Sequence, residues 1–304
     1  MTTNHLRLIL NGKSAARQDV RSAVKATRDL GHKVTVRVTW EPGDTQRLTR
    51  EALLEAGAEG IDTLVAGGGD GTVNEVVSSA LDVWDQDRPL PFSFAVLPLG
   101  TANDFARGIG LTPENLNACL ALAATAQARP TDVGTVNDRA FVNVATGGFG
   151  TRVTTETDPN LKKLLGGAAY IFTGLHRFSE LSASQVRISA EGFEWKGAVL
   201  ALAIGNGRQA GGGVQLCPDA ELDDGLLDLT IMPQPRAQEL PDILRRLLEN
   251  GSDGLRDELV MKKLAALTVE TDEPFQINLD GEPVHATQLN ITNLPGRIRF
   301  KRPA

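Results

Sequence analysis

With 304 residues, the chain exceeds the roughly 250–300 at which a single hydrophobic core stops growing, so two domains are expected. Its content of 41% hydrophobic, 23% charged and 5% aromatic residues lies in the globular range and excludes a disordered chain. A net charge of −7 and a pI near 5.2 oppose nucleic acid as a partner and a dominant electrostatic pull toward an anionic membrane.

In chain order, Leu6–Leu10 reads as a buried strand, too short for the apolar region of a secretory signal. Ser14–Leu30 predicts a helix stopped by Gly31, and Val34–Thr39 a second strand, together one βαβ unit. Asp44 predicts the cap of a helix running to about Ala56 and closed by Gly57, after which Ile61–Ala66 forms a third strand leading straight into glycines. Thr72–Leu81 reads as helix, Phe94–Leu97 as strand, and Thr112-Pro113 as the opening of a helix through Ala126. This alternation predicts a parallel, doubly wound α/β sheet.

After about Thr131 the pattern changes. Phe141–Thr146, Val186–Ala190, Trp195–Ile204, Leu226–Met232, Leu267–Glu270, Gln276–Leu279 and Leu289–Ile291 read as short strands, so the second half is mainly β. Two helices interrupt it, Leu161–Leu181 and Gln238–Asn250, the second with Leu240, Ile243, Leu244, Leu247 and Leu248 on one face. A final strand, Arg297–Lys301, fits either half. The expected domains are therefore residues 1–131, which the segment 297–304 could join, and 132–296.

No apolar stretch approaches the roughly 20 residues of a membrane-spanning helix. Cys119 and Cys217 have no His neighbours at zinc-ligand spacing, which leaves neither a disulfide framework nor a zinc site and fits a reducing cytoplasm. His5, His32, His176 and His285 are scattered and read as surface or packing residues.

The chemistry concentrates in Gly67-Gly68-Gly69-Asp70-Gly71-Thr72. Successive glycines after a buried strand can adopt positive φ and bring backbone N–H groups against an anion, with phosphate the natural guest. A helix beginning at Thr72 would add its unsatisfied N–H groups and positive dipole end. Asp70 has the charge to hold Mg²⁺ bridging nucleotide phosphates. The bland alternative is a glycine-rich turn that merely reverses the chain, disfavoured here by the attached Asp70, Thr72, Asn74 and Glu75. Neither the G-x-x-x-x-G-K-[ST] nor the G-x-G-x-x-G spacing is present. A second strand-to-loop junction, Leu97 through Ala106, supplies Gly100, Thr101 and Asn103 beside a helix start. Two such junctions at the C-terminal edge of parallel strands mark where α/β sheets bind ligands.

These two motifs, Gly68-Gly69-Asp70-Gly71-Thr72-Val73-Asn74-Glu75-Val76 and Pro98-Leu99-Gly100-Thr101-Ala102-Asn103-Asp104-Phe105-Ala106, resemble those of the diacylglycerol and sphingosine kinase superfamily. Ala145 to Gly150, Gly205 to Gly213 and Leu279-Asp280-Gly281-Glu282-Pro283 resemble the bacterial YegS lipid kinases in particular, and the likeness covers nearly the whole chain. Asn11-Gly12-Lys13-Ser14 departs from the wider family's Asn-Pro and Ser-Gly pattern, as YegS-like members do. The resemblance implies an N-terminal nucleotide-binding α/β domain, a C-terminal β-sandwich-like domain, and a cleft between them where ATP and lipid meet.

Carried over by position, Thr39, Gly69 to Glu75 and Thr101 are implied to bind the nucleotide, beside Gly67 and Gly68 of the glycine run. Glu282 is implied to be the general base that takes the proton of the substrate hydroxyl, provided its surroundings raise its pKa. Asp280-Gly281 predicts a tight turn exposing Glu282. For Cys217 to Leu226 the resemblance implies a structural Mg²⁺, or Ca²⁺, held by the Asp224 side chain and the carbonyls of Glu221 and Leu226. The alternative there is an uncoordinated acidic turn.

The expectation is thus an ATP-dependent lipid kinase, with phosphatidylglycerol or diacylglycerol as acceptor, in the cytoplasm and in transient contact with the membrane surface. No stable protein partner is implied. A soluble acceptor such as NAD, whose kinases share the Gly-Gly-Asp-Gly signature, and a non-catalytic lipid- or nucleotide-binding sensor are the competing readings.

Overall fold

The computed structural model describes residues 3–85, 88–148, 183–236 and 251–303, together with 238–239, 242–243, 245–246 and 249. The helix expected over 161–181 lies outside them, as do Phe149, Gly150 and His176, and Leu240, Leu244, Leu247 and Leu248 of the stretch expected as helix over 238–250. The chain divides into two compact units, Met1–Val133 with Leu294–Ala304, and Gly134–Asn293.

In the first unit, β1 (His5–Leu10), β2 (Lys33–Val38), β3 (Thr63–Gly68) and β4 (Ser93–Pro98) form a parallel sheet in the order β2-β1-β3-β4. Every residue of β1, β3 and β4 is buried, the pattern of parallel strands covered on both faces. Even Arg7, in the middle of β1, is 1% exposed. Its guanidinium is paired with Glu55 at 2.9 Å and donates from Nε to Thr35 Oγ1 at 2.8 Å, so its charge is compensated where it sits. The connecting helices are α1 (Gln18–Asp29), α2 (Asp44–Glu59), α3 (Asp70–Leu81), α4 (Asp104–Gly108) and α5 (Leu116–Thr125).

Several element ends differ from expectation. Helix α2 runs past Gly57 and stops at Gly60, whose φ of 61° supplies the left-handed C-terminal conformation. Asp44 is the first helical residue rather than the cap: Gly43 occupies the cap, and the Asp44 carboxylate accepts from the N–H groups of Trp40 (2.6 Å) and Glu41 (3.1 Å) just upstream. Thr112-Pro113 precedes α5 by a turn, and Asn115 caps it through the Ala118 N–H at 3.1 Å.

The second unit is strand-rich and antiparallel. It contains β6 (Arg139–Phe141), β7 (Val144–Gly148), β8 (Ser184–Ala190), β9 (Phe193–Gly205), β10 (Gln209–Ala210), β11 (Val214–Gln215), β12 (Leu227–Pro233), β13 (Val260–Leu264) and β14 (Ala266–Leu279). Two strands run across its boundaries, β5 (Ala128–Val136) and β15 (Glu282–Lys301). The path β13-β12-β9-β7-β14-β15 is antiparallel throughout, and β8 pairs with both β9 and β14. Phe141, Ile188, Ile204, Leu229, Ile277 and Ile291 belong to the buried cluster on which these strands pack. The two strands expected over 267–270 and 276–279 are one, interrupted by a bulge between Glu270 and Phe275. The final segment of β15 belongs to the first unit, where Phe300 pairs in parallel with Phe94 of β4 and meets the Phe105 ring edge-on at 5.1 Å.

Candidate active site

The carboxyl ends of β1, β2, β3 and β4 bring their turns together by backbone contact. The Asn11 N–H donates to Gly67 O at 2.8 Å, and the Leu99 N–H donates to Gly68 O at 2.8 Å. Thr39, just past β2, donates its N–H to Leu10 O at 3.0 Å and accepts from the Gly12 N–H through Oγ1 at 3.2 Å. Thr39 therefore joins the glycine loop through the β1 turn.

The glycines serve proximity and not unusual φ. None of Gly67, Gly68, Gly69 and Gly71 has positive φ, contrary to expectation. A Cβ on Gly68 would fall 2.2 Å from Thr72 Oγ1, one on Gly100 would fall 2.5 Å from the Gly69 Cα, and one on Gly12 would fall 2.3 Å from Thr39 O. Gly69 and Gly100 thus let the β3 and β4 loops touch backbone to backbone. Gly71 differs: it is exposed, and a Cβ there meets nothing within 4 Å.

Helix α3 starts at Asp70, two residues before the Thr72 start read from the sequence. Gly69 accepts from the N–H groups of Thr72 (3.0 Å) and Val73 (3.1 Å), so the N–H groups of Asp70 and Gly71 precede these bonds at the positive end of the helix. The Asp70 carboxylate accepts from the N–H groups of Asp104 (3.0 Å) and Phe105 (2.8 Å), capping α4 from the first residue of α3. Burial raises its pKa above the ordinary carboxylate value, against the opposing pull of the Phe105 and Asp104 amides. Each carboxylate oxygen keeps a second lone pair, so the residue can also face a cation.

The other expected nucleotide residues divide by exposure. Thr72 is half-buried and Thr101 exposed, whereas Val73 and Asn74 are buried, with Asn74 accepting from Ser78 Oγ at 3.1 Å inside the helix. Asn103 was named in the sequence as the amide of the second junction but was given no role in the site. It adopts φ 52° and closes a reciprocal pair with Gly100, accepting from its N–H and donating to its carbonyl, both at 2.8 Å. Its signal was available, since Asn tolerates the left-handed region that this turn needs.

In the second unit, Asp280 (φ 51°) and Gly281 (φ 101°) form the tight turn expected before Glu282, which is exposed. The Asp280 carboxylate accepts from three consecutive amides, those of Val142 (2.7 Å), Asn143 (3.1 Å) and Val144 (2.9 Å). Asn206 continues this network, donating its Nδ2 to Val142 O at 2.7 Å. Glu282 thus follows a turn fixed at its base.

The acidic loop is also internally tied. Lys263 Nζ lies 2.8 Å from Asp224, 3.7 Å from Glu221 and 3.8 Å from Asp228, and Asp224 Oδ1 accepts from the Leu226 N–H at 3.0 Å. Asp228 is 5% exposed, and its Oδ2 has no hydrogen-bond partner. Burial pushes its pKa up to about 6 despite the Lys263 ammonium. Such an orphaned buried oxygen near the carboxylates of Asp224, Asp219 and Glu221 is the hard donor chemistry that Mg²⁺ or Ca²⁺ takes. Among the described residues, no group of three or more His, Cys, Asp or Glu is arranged to hold a metal, and Lys263 supplies the countercharge.

No helix among the described residues is long and apolar enough to cross a membrane. The diacylglycerol kinase catalytic domain family matches residues 5–136, and the YegS C-terminal NAD kinase beta sandwich-like domain matches residues 143–301. A "Probable lipid kinase YegS-like" of Pseudomonas aeruginosa (strain UCBPP-PA14) is 49% identical over 304 residues, covering 100% of this chain and 96% of that protein. The protein of the same name in Pseudomonas putida is 48% identical over 297 residues, covering 98% and 95%. A crystal structure of a diacylglycerol kinase from Bacillus anthracis str. Sterne shares the fold at a TM-score of 0.72 and 20% identity, with 100% of this chain and 98% of that chain covered. Full-length identity near one half, over both domains, makes this chain a member of the YegS-like lipid kinases, enzymes built on a diacylglycerol kinase catalytic domain.

Proposed function

We propose that this lipid kinase transfers the γ-phosphoryl group of ATP to the hydroxyl of a glycerol-based lipid, phosphatidylglycerol or diacylglycerol. One observation carries the reading: the turns after β1, β3 and β4 meet through glycine backbones around the N-terminus of α3, where the exposed Gly71 leaves open space beside first-turn N–H groups.

In this reading Gly67 to Glu75, with Thr39 and Thr101, bind the nucleotide. Backbone amides of Asp70 and Gly71 receive phosphate oxygens, and the hydroxyls of Thr72 and Thr101 add donors. Asp70 fixes the β4 loop through α4 and presents negative charge toward magnesium. Mg²⁺ bound with the nucleotide supplies charge neutralisation on the phosphates. The lipid oxygen forms a bond to the γ-phosphorus as the bridging bond to the β-phosphate breaks; the hydroxyl proton passes to Glu282, and ADP leaves. Asp280 acts as a positioning residue for Glu282. Asp224, with the carbonyls of Glu221 and Leu226, is assigned to a structural Mg²⁺ or Ca²⁺, which must displace the Lys263 ammonium.

The test is transfer of label from γ-labelled ATP to a panel of phosphatidylglycerol, diacylglycerol and other hydroxylated lipids, with NAD in parallel. Label in a glycerol-based lipid, lost at least a hundredfold in Glu282→Gln with Mg-ATP binding retained, is the expected result. Label in NADP alone would overturn the lipid acceptor, and full transfer by Glu282→Gln would remove the assigned base.

A further inference from the structure

We propose that the indole of Trp40 is the surface on which the base of the nucleotide stacks, so that this side chain favours a base-bearing phosphoryl donor over a bare polyphosphate. The inference rests on the nucleotide site proposed above and adds to it a residue that neither the glycine loop nor the family motifs contain.

Trp40 is 92% exposed, the highest value for an exposed large hydrophobic side chain among the described residues. A tryptophan of this kind commonly buries about 150–250 Å². Its backbone is nevertheless held. The Trp40 N–H donates to Asp44 Oδ2 at 2.6 Å, the Glu41 N–H donates to the same oxygen at 3.1 Å, and Arg47 grips Asp44 Oδ1 at 2.7 Å. An anchored main chain displaying an uncovered indole is a preorganised platform, because binding need not first order the loop.

Its position fits the length of a nucleotide. Trp40 directly follows Thr39, which bonds to Gly12 at the end of β1. In the order β2-β1-β3 the end of β2 lies two strands from the glycine loop, about 10 Å at the usual strand spacing. That is roughly the reach from the phosphates of ATP to its base. The intervening β1 turn carries Gly12, which packs against Thr39 O with no side chain between, so a ribose would meet a low floor.

The full-length protein serves for the test, with Trp40→Ala and Trp40→Phe, because truncating an exposed side chain opens no cavity. Calorimetry gives the Kd of Mg-ATP and of Mg-tripolyphosphate for each, and sedimentation with phosphatidylglycerol vesicles reports bilayer contact. Stacking of one base predicts a roughly 5- to 150-fold weaker Mg-ATP Kd in Trp40→Ala, mostly restored in Trp40→Phe, with tripolyphosphate unaffected. Equal weakening of both ligands would make Trp40 a structural residue and overturn the proposal. Unchanged Mg-ATP binding with lost vesicle binding would overturn it in favour of a bilayer contact. Wild-type protein that binds tripolyphosphate and not ATP would defeat the base platform alone, whereas wild-type protein that binds neither would remove the nucleotide site as well.

Discussion

Two aspartates of the candidate site use a carboxylate to hold the backbone amides of a distant segment. Asp280 takes three such N–H groups and Asp70 takes two. Removing the acceptor leaves donors in a largely buried strand start, at about 1–3 kcal/mol each. Asp280→Ala should therefore lower the unfolding free energy by on the order of 3 kcal/mol in urea denaturation, and Asp280→Asn by less, since one oxygen remains. Equal stability of Asp280→Ala and wild type would show the network to be unimportant. Both acids stood out in the sequence as neighbours of glycine, but their partners lie 34 to 35 and 136 to 138 residues away, and a contact at that separation has no local pattern. For the same reason Lys263 was absent from the sequence reading of the acidic loop, although it answers two of its carboxylates, Glu221 and Asp224, and that of Asp228 in β12. Lys263→Met should leave those groups mutually repulsive, giving a lower Tm in chelator and a larger recovery on adding Mg²⁺ or Ca²⁺ than wild type shows. A variant with no metal response in thermal melts would argue against the cation site.

Among the elements, the turn from β2 into α2 depends on Asp44, whose pKa is depressed to about 2, first by Arg47 and then by the Trp40 and Glu41 amides. A carboxylate with a folded pKa below its unfolded value of about 4 stabilises above that unfolded pKa and loses the effect as pH falls through the folded one. The Tm difference between wild type and Asp44→Asn should therefore persist from about pH 7 to 5 and close between about pH 4 and pH 2. A gap independent of pH would exclude the charge as its cause. Strongly patterned elements were legible: the apolar runs of β1, β3 and β4, and the alternation that predicts a parallel sheet, all follow from period and punctuation. Boundaries were less so. Gly57 resembled a helix stop, but at the C-terminus of α2 the left-handed φ falls at Gly60 and not at Gly57. Strand β5, with Pro130 and Gly134 inside it, was missed because its ladder depends on β6 and β15 rather than on its own composition.

Along the full chain, the change from α/β alternation to short strands was visible in the sequence and corresponds to the two families matched in turn. The glycine loop stood out in the sequence, but the reason read for its glycines differs from the one the structure gives: close approach of the Leu8 side chain and Ile9 carbonyl at Gly67, of the Thr72 side chain at Gly68 and of the Gly100 backbone at Gly69, and not positive φ, explains them. Gly71 separates the two roles that glycine could have here. Its added Cβ meets no protein atom, and a helical first turn tolerates alanine better than glycine, so the fold gains nothing from its being glycine. Calorimetric titration of Gly71→Ala with Mg-ATP, alongside its Tm, is therefore the most direct measurement. A Tm equal to or above wild type with Mg-ATP binding at least tenfold weaker is the predicted result. Undiminished Mg-ATP affinity in that variant would contradict a phosphate held at the start of α3.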